Sequence, residues 1–278
     1  MLIDRILFGT AGAPNSTDKK NSPVERCKAI HQLELDCMQL EFAHGVRMKD
    51  EVSSSLRKAS YELGVPLTSH GPYYINLNAR EQDKIDSSVE RIIQTAKISD
   101  LCGAESMTFH AAFYMKDSPF DVFDLVEKSM TVIEERLSRL DIEIELRPEL
   151  TGKTSQFGSL EELITLSKNV GSCRPCMDFS HLYARTGKYN TYEEFCDVLD
   201  TLNNELGRQA LDNMHIHISG VSSNSKGDLK HLNLNDSKFN WKDLMRSLKK
   251  YDCKGYMISN SPNLEEDAKM LKDYYLSL

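Results

Sequence analysis

Eight histidines lie at positions 31, 44, 70, 110, 181, 215, 217 and 231, and several close short β-branched or aromatic runs. His70 ends Val65-Pro66-Leu67-Thr68-Ser69-His70, His110 ends Met107-Thr108-Phe109-His110, and His217 ends Asn213-Met214-His215-Ile216-His217. His181 follows Asp178 by three residues, and His231 lies in the polar stretch after His217. Carboxylates take matching stations: Glu149 beyond Ile142–Arg147, Asp178 within Pro175–Phe179, and Asp228 just before His231. One histidine at a strand end is most often a satisfied core or surface residue. Five at corresponding stations are not independent accidents. Imidazole with carboxylate is a ligand set for zinc, with manganese or iron as alternatives, and a shared carboxylate holds two or three ions a few ångströms apart. Such a cluster suits phosphodiester hydrolysis: one ion lowers the pKa of a bound water toward about 7 to make the nucleophile, and the others neutralise charge on the phosphoryl and leaving oxygens.

Positioning those groups requires strands that end at one face. The pattern predicts strands at Arg5–Gly9, Cys37–Phe42, Pro66–His70, Ser106–His110, Ile142–Arg147, Pro175–Phe179, Asn213–Ile218 and Lys254–Ile258. Helical patterns lie between them. Ser87–Asp100 places Val89, Ile92, Ile93, Ala96 and Ile98 on an apolar face, and Val122–Leu140 does so with Phe123, Val126, Met130, Ile133 and Leu137. Eight strand-helix units fill the 278 residues, which is the count of an α/β fold of the (β/α)₈ TIM-barrel type. A doubly wound open sheet competes, but the turn Gly9-Thr10-Ala11-Gly12-Ala13-Pro14 lacks the full G-x-G-x-x-G pattern. No linker marks a second domain, so residues 1–278 are expected to form one barrel, with Ser222–Lys238 as an insertion at its mouth. Functional groups of a barrel gather where strands end. His215 and His217 share one side of their strand, taken as the interior; His217, nearer the mouth, is the better ligand, and His215 supports or packs.

Composition narrows the function classes. Lys and Arg total 34 against 42 Asp and Glu, a formal charge of −8, which argues against a broad basic face for nucleic acid. Hydrophobic residues at 40% and charged residues at 27% describe a folded chain. No apolar run suits a membrane span and the first residues lack signal-peptide character, so the expected compartment is the cytoplasm. Seven scattered cysteines suit reduced thiols; Cys173-Arg174-Pro175-Cys176 runs into a strand and not, as in thioredoxin-like sites, into a helix.

Longer segments carry a resemblance. Phe8-Gly9-Thr10-Ala11-Gly12, Ser69-His70-Gly71-Pro72-Tyr73-Tyr74-Ile75-Asn76-Leu77, Phe109-His110-Ala111, Arg147-Pro148-Glu149-Leu150-Thr151-Gly152-Lys153, Met177-Asp178-Phe179-Ser180-His181 and His215-Ile216-His217-Ile218-Ser219-Gly220 are among those quotable from first strand to last helix. The chain resembles the endonuclease IV family of abasic-site DNA endonucleases, xylose-isomerase-like TIM barrels, and is nearer its archaeal-type branch. The resemblance implies a zinc-dependent endodeoxyribonuclease of base-excision DNA repair that cuts 5′ to an abasic site. It implies Zn²⁺, two or three ions with Mn²⁺ possible in their place, with Glu149 and Asp178 at the chemistry. By the same resemblance His70, His110 and Glu149 hold one ion; Glu149 bridges to a second held by Asp178 and His217; His181, Asp228 and His231 hold a third. Tyr73 matches a residue that enters DNA near the lesion, and Arg47 and Lys153 are candidate phosphate contacts. One departure stands at the second ion: Asn260, in Ile258-Ser259-Asn260-Ser261-Pro262, replaces a metal-bridging glutamate, and a neutral amide is a poorer zinc ligand than a carboxylate. The Asp228-x-x-His231 spacing is one residue longer than in bacterial members.

Three readings follow. The first is the abasic-site endonuclease, a monomer acting on DNA and not on membranes. The second is a sugar isomerase or epimerase of the same superfold using one divalent ion at Glu149 and Asp178. The third is a damaged-DNA binder whose chemistry is impaired by Asn260. Trp241, Tyr274, Tyr275 and Met257 are read as packing residues, and Lys242, Arg246, Lys249 and Lys250 as a solvated helix face.

Overall fold

A computed structural model describes residues 3–18, 22–224 and 226–278, with Asp228 and Leu229 described in backbone only. The elements run β1 (Ile6–Ala11), α1 (Pro23–Gln32), β2 (Cys37–Glu41), α2 (Asp50–Leu63), β3 (Leu67–His70), α3 (Gln82–Cys102), β4 (Ala104–Phe109), α4 (Pro119–Arg139), β5 (Glu145–Pro148) and α5 (Leu160–Asn169). They continue with β6 (Cys176–Asp178), α6 (Phe179–Thr186), α7 (Tyr192–Leu206), α8 (Gln209–Asp212), β7 (Met214–Ile218), β8 (Gly220–Asn224), β9 (Gly227–Leu232), α9 (Trp241–Lys250), β10 (Gly255–Ser259) and α10 (Glu265–Ser277). Eight parallel strands pair in the order β5-β4-β3-β2-β1-β10-β7-β6. The two ends of that order meet: Leu150 N–H donates to Cys176 O and Arg174 N–H to Leu146 O, both at 2.9 Å, and Glu149 opposes Cys176 in a parallel bridge. The expected barrel forms, with each of the eight predicted strands in it.

Helix periodicity carried the outer layer correctly. In α4, Val122, Val126, Met130, Ile133 and Leu137 are buried against the sheet, and in α3 Val89, Ile92, Ile93, Ala96 and Ile98 are. Burying each such side chain stabilises the fold by about 1.5–3 kcal/mol for the larger ones. Helix starts are set by side chains: Ser159 with Glu162 and Thr191 with Glu194 form capping boxes on α5 and α7. Trp241 packs edge-on against Tyr274, and Met257 is buried in the core, as their types suggested. Lys242, Arg246, Lys249 and Lys250 form an exposed face of α9.

Two stretches differ from a plain strand-helix repeat. Three helices follow β6, and the mouth insertion is an antiparallel hairpin, β8 with β9, so His231 sits on a strand opposite Val221. Its Ser, Asn and Lys content gives no apolar alternation, and Ser223, Asn224, Lys226 and Lys230 near its turn are exposed. The first and last elements are tied together at Asp36, which accepts from Arg5, from Lys272 of α10 and from Phe8 N–H. All seven cysteines are buried free thiols, and burial pushes Cys173 up to about 12.

Candidate metal centre

Strand alternation delivers the predicted groups to one end of the barrel. His70 ends β3, Asp178 ends β6 and His217 lies one residue from the end of β7, while His110 and Glu149 each follow their strand directly. Around them lies a cavity of about 380 Å³ lined by His70, Tyr73, His110, Glu149, Lys153, His181, His231 and Asn260, together with Phe113, Gly152 and Gln156. Asp178 and His217 are fully buried and do not line it.

Glu149 is the pivot. Its Oε2 faces His70 Nε2 at 3.2 Å and His110 Nε2 at 3.8 Å; its Oε1 faces His217 Nδ1 and His181 Nδ1, each at 3.4 Å. One carboxylate thus addresses two different imidazole sets with its two oxygens. Burial alone would raise its pKa, but the neighbouring imidazoles of His110, His217 and His181 outweigh this and hold it well below the usual carboxylate range. His70 is the reverse case: burial would lower it, and the hydrogen bond to Glu149 keeps it raised. His70 Nε2 and Glu149 Oε2 thus face one another across the place a cation would take. Burial brings His110 down to about 4, so its ring is neutral at pH 7 and competent to ligate.

Tautomers follow from what the second ring nitrogens meet. Carbonyl oxygens only accept, so Nδ1–H of His70 donates to Gly71 O at 2.6 Å, that of His181 to Leu150 O at 3.1 Å and that of His231 to Asn260 O at 3.1 Å. Each ring then turns Nε2 into the cavity, as metal-binding histidines do when a backbone carbonyl orients them. His181 Nε2 and His231 Nε2 face one another at 3.2 Å. Two bare lone pairs at that distance repel, so the arrangement calls for a cation or a proton between them. Tetrahedral zinc with Zn–N near 2.0–2.1 Å separates two nitrogens by roughly 3.3 Å. Glu149, Asp178 and His181 also lie close enough to form a group through His181 Nδ1. That nitrogen already gives its hydrogen to Leu150 O, so His181 is better assigned to the pair with His231.

Asp178 caps α6, its Oδ1 accepting from Ser180 Oγ at 2.5 Å and from His181 N–H at 2.8 Å. Its Oδ2 has no hydrogen bond among the described residues, and neither do His217 Nδ1, His110 Nδ1 and Asn260 Oδ1. Asp178 Oδ2 stands 3.2 Å from His181 Nδ1 and His217 Nδ1 stands 3.4 Å from Glu149 Oε1, close approaches that a cation held among them would satisfy. Asn260 lines the cavity and brings a neutral amide to it. The Asp228 side chain lies outside the described residues; its backbone pairs with Ser223 in the hairpin.

The remaining predicted residues lie at the rim. Tyr73 is 53% exposed, its ring 5.0 Å from that of His70 and 6.0 Å from that of His110. Lys153 is exposed on the cavity wall and bridges to Gly227 of the hairpin turn. Arg47 is exposed in the loop between β2 and α2 and does not line the cavity. Residues that sequence reasoning passed over include Arg185, whose guanidinium donates to Thr151 O, Lys153 O and Gln156 O and so holds the loop after β5 in place. No local pattern marks it, since its partners are backbone atoms from a distant loop. Phe113, paired with Gln156 across the same wall, was also missed.

A family model described as xylose isomerase-like TIM barrel matches residues 27–274. An uncharacterized protein of Methanocaldococcus jannaschii is 39% identical over 274 residues, covering 98% of both chains. A probable endonuclease 4 of Aster yellows witches'-broom phytoplasma is 26% identical over 184 residues, 65% of this chain and 62% of that one. Among solved structures, endonuclease IV from Thermus thermophilus aligns with a TM-score of 0.74 at 20% identity over 97% of this chain and 100% of its own. A D-tagatose 3-epimerase-like protein aligns with the same TM-score of 0.74 at 16% identity over 98% and 97%. At those identities the two structures establish the fold alone.

Proposed function

The chain belongs to the xylose isomerase-like TIM barrel family, and within it we propose a metal-dependent phosphodiester hydrolase that acts on DNA at abasic sites. The observation that carries this reading is the number of separate cation positions the residues imply. Glu149 faces one imidazole set with Oε2 and another with Oε1, and the His181–His231 pair adds a third position. A sugar isomerase working with one ion has no use for the third. Similarity to the probable endonuclease 4 supports the same choice.

His70, His110 and Glu149 would hold one ion, Glu149, Asp178 and His217 a second with Asn260 beside it, and His181 and His231 a third with Asp228. Bound there, divalent ions would lower the pKa of water toward about 7 and neutralise charge on a phosphoryl group. The donor set of imidazoles and carboxylates suits zinc, with manganese an alternative. Glu149 and Asp178 are the carboxylates at the chemistry. Asp178 presents only Oδ2, because Ser180 and the His181 N–H already hold Oδ1. Tyr73, at the rim, offers a half-exposed ring against an unstacked nucleotide, and Lys153 places a cation on the wall where a phosphate would pass. Arg47 is proposed as a contact farther along the DNA backbone.

Zinc-loaded protein is expected to nick a duplex carrying one abasic analogue and to spare the intact duplex. Cutting no faster than by His110→Ala would overturn the reading. Asn260 favours one second reading, a binder that retains the pocket but not the chemistry. It predicts that wild type binds abasic DNA uncut while Asn260→Glu cuts it; equal turnover by both would exclude it.

A further inference from the structure

We propose that Gln39 is a positioning residue that decides which nitrogen of His217 faces the metal centre, and that Glu41 holds Gln39 in the orientation this requires. The inference rests on the metal-centre reading. Gln39 and Glu41 point inward from β2, and His217 from β7, strands separated in the sheet by β1 and β10. The contact therefore spans the barrel interior, where Gln39, His215 and His217 are buried.

The chemistry of each group fixes the direction of every bond. Gln39 Nε2 donates to Glu41 Oε1 at 2.8 Å, and since a carboxylate can only accept, the amide nitrogen must face Glu41. Gln39 Oε1 is then turned toward β7, where it lies 2.8 Å from His217 Nε2 and 3.0 Å from His215 Nε2. An amide oxygen only accepts, so both Nε2 atoms carry hydrogen. Reversing the amide would set its carbonyl against the Glu41 carboxylate and spoil all three contacts. His215 is completed by Ser106 Oγ, which donates to its Nδ1 at 3.1 Å. For His217 the remaining atom is Nδ1, 3.4 Å from Glu149 Oε1. His217 thus offers Nδ1, whereas His70, His181 and His231 offer Nε2. Loss of such a partner typically costs about 10–100-fold in metal affinity.

The test uses zinc-loaded protein, with zinc affinity measured by competition with a chromophoric chelator and long-range ¹H–¹⁵N spectra reading which His217 nitrogen carries hydrogen. Wild type should show hydrogen on Nε2 and zinc on Nδ1. Gln39→Met should weaken one ion by about 10–100-fold, leave the others unchanged and lose the single His217 signature. The exchange variant Gln39→Glu with Glu41→Gln keeps a donor–acceptor pair on β2 and an acceptor oxygen toward His217, and should restore both. If Gln39→Met fails to fold, Glu41→Leu, which frees the amide to turn, should move the same two readouts in the same direction. Unchanged zinc affinity and an unchanged His217 signature in the folded variant would overturn the proposal. Neither readout involves DNA, so a wild type that binds zinc yet cuts nothing counts against the nuclease alone. A wild type that binds no zinc overturns both.

Discussion

His231 and Asn260 show how single residues bear on the chemistry. Truncating His231 to alanine removes one of the two Nε2 atoms that face each other across 3.2 Å. One zinc per chain should be lost, measured by elemental analysis after gel filtration, and abasic-site cutting should fall by about 100-fold or more. Asn260 is the inverse case, a neutral amide whose Oδ1 has no hydrogen bond among the described residues. Asn260→Glu should tighten the weakest zinc by about tenfold or more, because a charged oxygen binds a divalent ion better than an amide. A chelator titration that leaves the weakest ion unchanged would show that Asn260 does not border it.

Loops, more than strands, complete the site at the element scale. The loop after β5 turns through Gly158 at φ +121°, and a Cβ there would stand 2.5 Å from the carbonyl oxygen of Glu149. Gly158→Ala combines backbone strain with displacement of the pivot carboxylate. A loss of about 1–3 kcal/mol in denaturant unfolding is expected, with weaker zinc binding. Stability loss without any change in zinc affinity would mean that the loop and Glu149 move independently. The hairpin is the other such element: β9 brings His231 to the mouth, and its turn bridges to Lys153. Neither element belongs to the barrel count, yet each supplies a wall of the cavity.

Charge and closure belong to the whole molecule. A net −8 excludes a broad basic binder, but three bound divalent ions would bring the formal total to about −2 and concentrate positive potential at the mouth. Stripping metal with a chelator should lower the melting temperature by on the order of 5–10 °C, since ions that bind only the native state stabilise it. Acid should act through Asp36, which joins the first and last elements. Burial would raise its pKa, but Arg5 and Lys272 outweigh this and depress it. A depressed carboxylate stabilises the fold fully above its unfolded value and loses that contribution as pH falls through the folded one. Asp36→Asn should therefore cost about 2 kcal/mol at neutral pH and flatten the stability profile below about pH 4, read by urea unfolding against pH.

The eight strands, the apolar helix faces and the stations of His70, His110, Glu149, Asp178, His181 and His217 were legible in the chain itself. Strand alternation and helix period are local rules, and a barrel places every strand end on one rim. Polar chain, by contrast, carries no period: the hairpin under His231, the loop held by Arg185 and the Gln39 contact across the barrel were settled only by packing. Which nitrogen each imidazole presents was likewise beyond sequence, because a tautomer is chosen by whatever meets the opposite side of the ring. For His70, His181 and His231 that is a backbone carbonyl, and for His217 it is a glutamine 178 residues away in the chain.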